Sequence, residues 1–479
     1  MKRMMTICLL LIGLFAQAQT TRNFTINLTE KGEANMVCFL PEKPSGRAIV
    51  GIPGGGYSML SNTHEGTQWS TWLNQQGIAY FVVNYRLPNG DRTIPIGDVE
   101  KAFRIVRDSA AVWNIQPRNV GIMGFSAGGH LASVISTLSD YEVRPDFSIL
   151  FYPVISMDER VSHKWSCINF LGEEGQKDAE LVRKYSTQNS VRRHLTPPAI
   201  ILTASDDRLV PPVTNGVAYY SAMRNAGNDC AMYIYPSGDH GWGVGPWFKY
   251  HNQMLNDLGN WLNNLPAPKT DALRVACVGN SITDGHGIEM ATKYGYPALL
   301  QNMLGDGYWV RNFGVSGRTL LNNGDVPYMK EQAWRDAQAF NPDIVVIKLG
   351  TNDSKPQNWQ HSDEFKADLK QMITTLRPDL AVTKKKSKKA KKAVAVKPEI
   401  YLCTPIPAFK TSWNINDSVI TNGVIPIIQE VAKEYGLKVI DLHTLFANDS
   451  DKVQPDGIHP NDKGVRRIAE IIAGVLKEQ

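Results

Sequence analysis

Short apolar runs rich in β-branched residues recur along this chain, and the stretches between them carry helical periodicity. The runs lie at residues 48–53, 79–85, 120–125, 147–154, 199–204 and 231–235, with helical patterns such as 99–112 and 217–226 between them. Strands that are apolar along their whole length fit a sheet covered on both faces, and alternation with helices calls for a mostly parallel sheet. The series stops at Leu265-Pro266-Ala267-Pro268-Lys269-Thr270, where two prolines among polar neighbours read as a linker. It then restarts with runs at 275–278, 309–313, 344–349, 400–404 and 439–442. The expectation is an α/β protein of two domains, residues 19–265 and 273–479, joined by residues 266–272. Both are ordinary domain sizes. No repeat relates them residue by residue.

With 43% hydrophobic and 20% charged residues, the 479-residue chain is neither fibrous nor wholly disordered. It opens Met1-Lys2-Arg3, continues with an apolar run to Phe15, and reaches Ala16-Gln17-Ala18. A basic start, a short apolar stretch and an A-x-A site read as a signal peptide over residues 1–18, removed to leave Gln19 first. The expected location is the periplasm or the medium. The run is too short to span a bilayer comfortably, and no other stretch is long enough, so no transmembrane segment is expected. Cleavage leaves Cys38, Cys167, Cys230, Cys277 and Cys403. Their spacing gives no zinc pattern, and Cys277 and Cys403 fall in strand-like runs as buried thiols. The formal charge of +5 is local: residues 384–397 hold eight lysines, and taking them from the total leaves −3 for the rest. That stretch reads as a solvated surface insertion, and the total does not imply a nucleic-acid surface.

The first run of chemistry-bearing residues is Gly124-Phe125-Ser126-Ala127-Gly128, a G-x-S-x-G at the end of a strand with a helical pattern after it. Small flanking residues let the chain turn sharply and leave the serine hydroxyl exposed. Upstream, the strand at 48–53 runs into Gly54-Gly55-Gly56-Tyr57, whose backbone N–H groups at Gly55 and Gly56 would join that of Ala127 as an oxyanion hole. Downstream come Asp206-Asp207-Arg208-Leu209-Val210-Pro211 and then Gly238-Asp239-His240-Gly241. The order is nucleophile, acid, base. Ser126 attacks, His240 carries its proton, and an acid holds the imidazole. Chemistry does not separate Asp206 from Asp207; a position four residues past Thr203, common in hydrolases of this fold, favours Asp207. These blocks resemble the secreted carbohydrate and feruloyl esterases of the α/β-hydrolase superfamily, over about residues 20–265.

The second set begins at Gly279-Asn280-Ser281-Ile282-Thr283, again after a strand. Asn312-Phe313-Gly314-Val315-Ser316-Gly317, Gly350-Thr351-Asn352-Asp353 and Asp456-Gly457-Ile458-His459-Pro460 follow in order. Backbone N–H groups of Ser281 and Gly317, with the Asn352 side chain, would give three donors to an oxyanion. His459 would be the base, oriented by Asp456 on the same short loop. From about residue 273 to the end, these four blocks resemble the GDSL or SGNH hydrolases, of the sialate O-acetylesterase type, with Asn280 where that family usually has Asp. The resemblance implies a flavodoxin-like three-layer α/β/α fold for this half.

Both resemblances imply cofactor-free and metal-free serine acyl transfer on an acylated polysaccharide or glycan, with acetyl and feruloyl groups as candidate acids. Tyr57, Trp242 and Trp247 are candidates for substrate contact, and Trp165, Trp359 and Trp413 join them as aromatic faces a sugar ring stacks on. Three other readings fit parts of the sequence: a short-chain carboxylesterase or lipase, one working half with a binding or vestigial partner, and a scaffold using the lysine insertion. Oligomeric state has no signal in the sequence.

Overall fold

A computed structural model describes residues 22–381 and 398–478, so the expected signal peptide and the lysine-rich stretch lie outside the described residues. The strands form two sheets. The first orders its eight strands β1-β2-β4-β3-β5-β6-β7-β8. They are β1 (Arg22–Asn27), β2 (Asn35–Leu40), β3 (Ala48–Ile52), β4 (Ala79–Asn84), β5 (Val120–Phe125), β6 (Ser148–Phe151), β7 (Ala199–Ala204) and β8 (Cys230–Tyr235). Strands β3 to β8 pair parallel, while β2 pairs antiparallel with both β1 and β4. The central strands β3, β5, β6 and β7 are buried at every position, as strands sandwiched between helices must be.

The second sheet is wholly parallel, in the order β10-β9-β11-β12-β13. Its strands are β9 (Leu273–Gly279), β10 (Tyr308–Gly314), β11 (Ile344–Lys348), β12 (Glu399–Cys403) and β13 (Lys438–Ile440). Alternate residues of β11 enter the cores on its two faces: Val345 and Ile347 on one, Ile344 and Val346 on the other. This is the doubly wound α/β class that the apolar runs call for.

In each sheet the order reverses once, between β3 and β5 in the first and at β9 in the second. Loops leaving the carboxyl ends of strands diverge at such a point and open a crevice. The first crevice receives the loops after β3 and β5, and the second the loops after β9, β10 and β11. Every sequence block singled out for chemistry follows one of these strands or lies on the same edge.

The five described cysteines are buried free thiols. Burial pushes Cys38, Cys167 and Cys403 up to about 12, which makes them poor nucleophiles. Among the described residues, no helix is long and apolar enough to cross a membrane.

Candidate active sites

Ser126 joins β5 to the helix Ser126–Leu138 with a φ of 52°. A non-glycine residue in that region is strained, and a strained nucleophile at a strand-to-helix elbow has its hydroxyl presented for attack. The flanking glycines are required by close approach. A Cβ on Gly124 would lie 2.3 Å from the Gly128 carbonyl oxygen, and one on Gly128 would lie 2.2 Å from that of Ile52.

The hydroxyl is 2.8 Å from Nε2 of His240, whose Nδ1 is 2.7 Å from Oδ2 of Asp207. A carboxylate only accepts, so Nδ1 carries the hydrogen and Nε2 is left to accept from the serine. Asp207 is held in turn: its Oδ1 accepts from the backbone N–H groups of Leu209 (3.0 Å) and Val210 (2.8 Å). Asp206 instead accepts from the backbone N–H of Asp239 at 2.9 Å. The pair the sequence left open is thereby divided: Asp207 faces the imidazole, and Asp206 ties down the loop beside it.

The Gly54–Gly56 turn lies directly against the elbow, since a Cβ on Gly54 would come within 3.0 Å of Cβ of Ser126. Gly55 and Gly56 have φ of 120° and 64°. Both glycines therefore stand in the turn that abuts the nucleophile elbow. No motif announces what fastens this turn. It is Glu65, buried, whose Oε2 accepts from the Gly54 N–H at 3.1 Å and whose Oε1 accepts from the Tyr152 hydroxyl at 2.8 Å. That hydroxyl accepts from the Gly243 N–H at 2.8 Å, and the Tyr152 ring lies 4.6 Å from that of His240. Burial raises the Glu65 carboxyl above its usual range against the pull of the Tyr152 hydrogen bond.

Two substrate-contact expectations are corrected. Tyr57 is 1% exposed, with its hydroxyl 2.8 Å from Nδ1 of His130, and Trp242 is 1% exposed, stacked on Phe248 at 4.0 Å. Both are core rings with no face left for a sugar. Trp359 packs partly buried on the second core. Trp165, Trp247 and Trp413 are exposed, and Trp247 stands 5.6 Å from His64.

In the second half, Ser281 begins a single helical turn, Ser281–Asp284, directly after β9 and Asn280. Oδ1 of Asn280 accepts from the N–H of Ile282 at 3.2 Å and caps the turn. A carboxylate would supply the same oxygen, so asparagine in the usual aspartate position keeps the cap. Ser281 Oγ is 2.9 Å from Nε2 of His459, and Nδ1 of His459 is 2.6 Å from Oδ2 of Asp456. The other oxygen of Asp456 accepts from the backbone N–H groups of Ile458 (2.9 Å) and His459 (3.0 Å). Burial works to raise Asp456, but these bonds outweigh it and leave the carboxyl below its usual range. His459 is lowered, by burial first, with Asp456 opposing and His286 and Lys348 adding to the drop.

Gly317 stands at φ 80°. The Asn352 amide donates to the neighbouring Arg318 carbonyl at 3.1 Å, which uses one of its two hydrogens. Asn352 is thus tied to the segment that follows Gly317, and Ser281, His459 and Asp456 form one hydrogen-bonded chain. Beside it, His286 lies 4.4 Å from the His459 ring and the exposed Trp413 lies 6.4 Å from His286.

Each relay has the geometry for proton transfer from serine to histidine with a carboxylate behind it. Over 471 residues, 98% of this chain and 98% of the other, the sequence is 73% identical to the acetylxylan esterase of Xylanibacter ruminicola. The chain belongs to that esterase family. Esterases of this family are carboxylic ester hydrolases, and so is this protein. Two family models divide it as the sheets do: BD-FAE matches residues 37–220, and the GDSL-like lipase/acylhydrolase family matches residues 277–467. A stretch of 208 residues, 40% of this chain, is 33% identical to endo-1,4-beta-xylanase B of Butyrivibrio fibrisolvens and covers 31% of that protein. Among solved structures, the acetyl ester-xyloside bifunctional hydrolase of Caldicellulosiruptor lactoaceticus is 31% identical. It spans 51% of this chain and 96% of its own, with a TM-score of 0.46.

Proposed function

We propose that this esterase carries two working centres, Ser126–His240–Asp207 and Ser281–His459–Asp456, and that both remove O-acetyl groups from xylan. The observation that carries this reading is that each half holds an unbroken hydrogen-bonded relay, 2.8 and 2.7 Å in the first and 2.9 and 2.6 Å in the second. The substrate class rests on the family, whose Xylanibacter ruminicola member is an acetylxylan esterase.

In each centre the histidine takes the serine proton as the serine oxygen bonds to the ester carbonyl carbon. The tetrahedral oxyanion is held by Gly55, Gly56 and Ala127 in one half, and by Ser281, Gly317 and Asn352 in the other. The histidine returns the proton to the departing sugar hydroxyl. Water, activated the same way, then releases acetate and restores the serine. Trp247 and Trp413, 65% and 63% exposed, serve as faces for the sugar beside the first and second centres respectively. We also read residues 1–18 as an export signal; amino-terminal sequencing of exported protein would then start at Gln19, and a start at Met1 would sink that reading.

The test is acid release from acetylated xylan and feruloylated arabinoxylan by wild type, Ser126→Ala, Ser281→Ala and the double variant. Each single variant should lose part of the release, and the double variant nearly all of it. A single variant that matches wild type on every substrate would mean that its half is not an esterase.

A further inference from the structure

The turn that presents Ser281 is only four residues long, and an isolated turn of that length does not hold itself together in water. Its start is capped by Asn280. Its far end is capped by the other half of the molecule. Arg193 donates through Nη2 to the carbonyls of Asp284 and Gly285, both at 3.1 Å. His194 lies with Nε2 2.8 Å from the Asp284 carbonyl and 3.1 Å from its Oδ1. Arg193 Nε also pairs with that Oδ1 at 2.8 Å. The atoms nearest Nε2 of His194 are acceptors, so that nitrogen carries a hydrogen and donates. Cationic and N–H donors at the carboxyl end of a helix satisfy its last carbonyls and oppose its dipole.

The same aspartate reaches the oxyanion side of the site. Its second oxygen accepts from the Ser316 hydroxyl, next to Gly317. The strand leading there passes so close that a Cβ on Gly314 would lie 2.2 Å from the Asp284 nitrogen. Asn312 on that strand donates to the Thr283 carbonyl at 2.7 Å. Asp284 therefore links the turn of the nucleophile to the loop of Gly317, and Arg193 and His194 grip it from outside.

The gripping segment is itself fixed. His194 stands at φ 59°, and the buried Asn228 accepts from its N–H and donates to the Arg192 carbonyl, both at 2.9 Å. Next to Asn228, the Gly227 carbonyl accepts from the Thr292 hydroxyl at 2.8 Å, and Asp229 pairs with Lys293 at 3.2 Å. A non-glycine residue held in a left-handed conformation by this many partners marks a built contact.

We propose that Arg193 and His194 of the first half are positioning residues for the Ser281 centre, so that the second esterase reaches its full rate only with the first docked against it. Neither side chain is placed to touch substrate. They act by holding Ser281 and the Gly317 loop in register, and misplacing a nucleophile by about 1 Å costs up to roughly a hundredfold in rate. The proposal rests on Ser281 being a working nucleophile, as read above.

The experiment uses the full chain with Ser126→Ala, so that all remaining acetate release comes from the second centre. To it are added Arg193→Met with His194→Ala and, separately, the conservative pair Arg193→Lys with His194→Gln. The readouts are kcat and KM on acetylated xylo-oligosaccharide, and the rate and final stoichiometry of Ser281 labelling by a fluorophosphonate. The removal pair is expected to lower kcat and the labelling rate about tenfold to a hundredfold, with KM within about twofold and labelling still going to completion. The conservative pair should recover most of the rate, because both side chains still donate. In a Ser281→Ala background the removal pair should leave the Ser126 centre within about twofold. An unchanged kcat in the removal pair overturns the proposal. So does a failure to label at all, which would make the contact purely structural. If Ser126→Ala alone shows no release that Ser281→Ala abolishes, the two-centre reading falls first and takes this inference with it.

Discussion

His459 is the base whose pKa the structure displaces most clearly, and the sign of that displacement can be tested. Burial, His286 and Lys348 lower it from the usual 6.5, against Asp456. A general base works in its neutral form, so a lowered value extends activity toward acid. In the Ser126→Ala protein the acid limb of kcat/KM against pH should have its midpoint below 6.5; a midpoint above it would contradict the placement of these groups. Lys348 offers a companion test. It is buried beneath the site without a hydrogen-bond partner, and burial lowers it from 10.5 to about 8. Below pH 8 the folded protein holds this proton at a cost of about 3 kcal/mol, taking 1.36 kcal/mol per unit. Between pH 8 and 10.5 the unfolded chain binds the proton more tightly, so this group's contribution to stability rises with pH. Lys348→Met should therefore stabilise the protein by up to about 3 kcal/mol at pH 7 and by little at pH 10.5, read by urea unfolding. The same variant should move the His459 acid limb upward, because one of its depressing charges is gone. At this scale five of the six relay residues were legible in the sequence, each in a short block after a strand or before a helix, while spacing only favoured Asp207 over Asp206. Glu65 and Tyr152 were not. A carboxylate that holds a glycine turn from eleven residues away has no motif, and only the fold brings it there.

Helices and strands were legible to the extent that burial is two-sided. The runs that became β3, β5 and β7 are apolar throughout, and their burial is complete. The expected series lacks β1 and β2, of which β1 is largely exposed at the sheet edge and β2 alternates between half-buried and buried positions. The β1 sequence, RNFTIN, interleaves polar and apolar residues and carries no continuous apolar signal, whereas residues 36–40 of β2 are an unbroken apolar run that the expected strand series leaves out. The expected run at 147–154 proved shorter, as β6 ends at Phe151 and the buried residues after it pack as coil. The helix after Ser126 shows what a spacing rule means physically. It seats against β3 only because Gly128 has no Cβ, and a methyl there would strike the Ile52 and Pro53 carbonyl oxygens at 2.2 and 2.4 Å. Backbone atoms cannot swing aside as a flexible side chain would. Gly128→Ala should cost about 1–3 kcal/mol or more in the first half, as overpacking does. It should also reduce acetate release by the Ser126 centre, assayed with Ser281→Ala in place. Full activity with an unchanged unfolding midpoint would show that the helix can shift without loss.

The two halves read as separate in sequence because the linker prolines and the restart of the strand series are local signals. Their contact is not local, and nothing near residues 265–272 announces it. Tyr141 of the first half is buried in a core of the second, edge-on to Phe340 with ring centres 6.2 Å apart. Arg144 pairs with Asp336 at 2.6 Å, and their side chains are 5% and 1% exposed. Arg144 also donates to the Ser139 carbonyl through Nε and Nη2, at 3.1 and 2.9 Å, so its geometry is set from its own half before the partner arrives. An ion pair removed from water on both sides repays its desolvation only while both members are present. Removing the arginine alone would leave Asp336 buried, with Gln332 donating to its other oxygen at 2.8 Å and Arg192 as a remaining cationic neighbour without a direct ion pair to it. The expected cost is about 3–5 kcal/mol, and it falls on the contact between the halves. Wild type should therefore unfold in one calorimetric transition, with the halves coupled through Tyr141, Arg144, Arg193 and His194. Arg144→Ala should split that transition into two, because each sheet keeps its own core when the bridge is lost. Pairing it with Asp336→Leu, which removes the stranded charge, should restore much of the lost stability. A wild-type profile that already shows two transitions, unchanged by Arg144→Ala, would mean that the interface contributes nothing to cooperativity. The dependence of one esterase on the other would then have to rest on Arg193 and His194 alone.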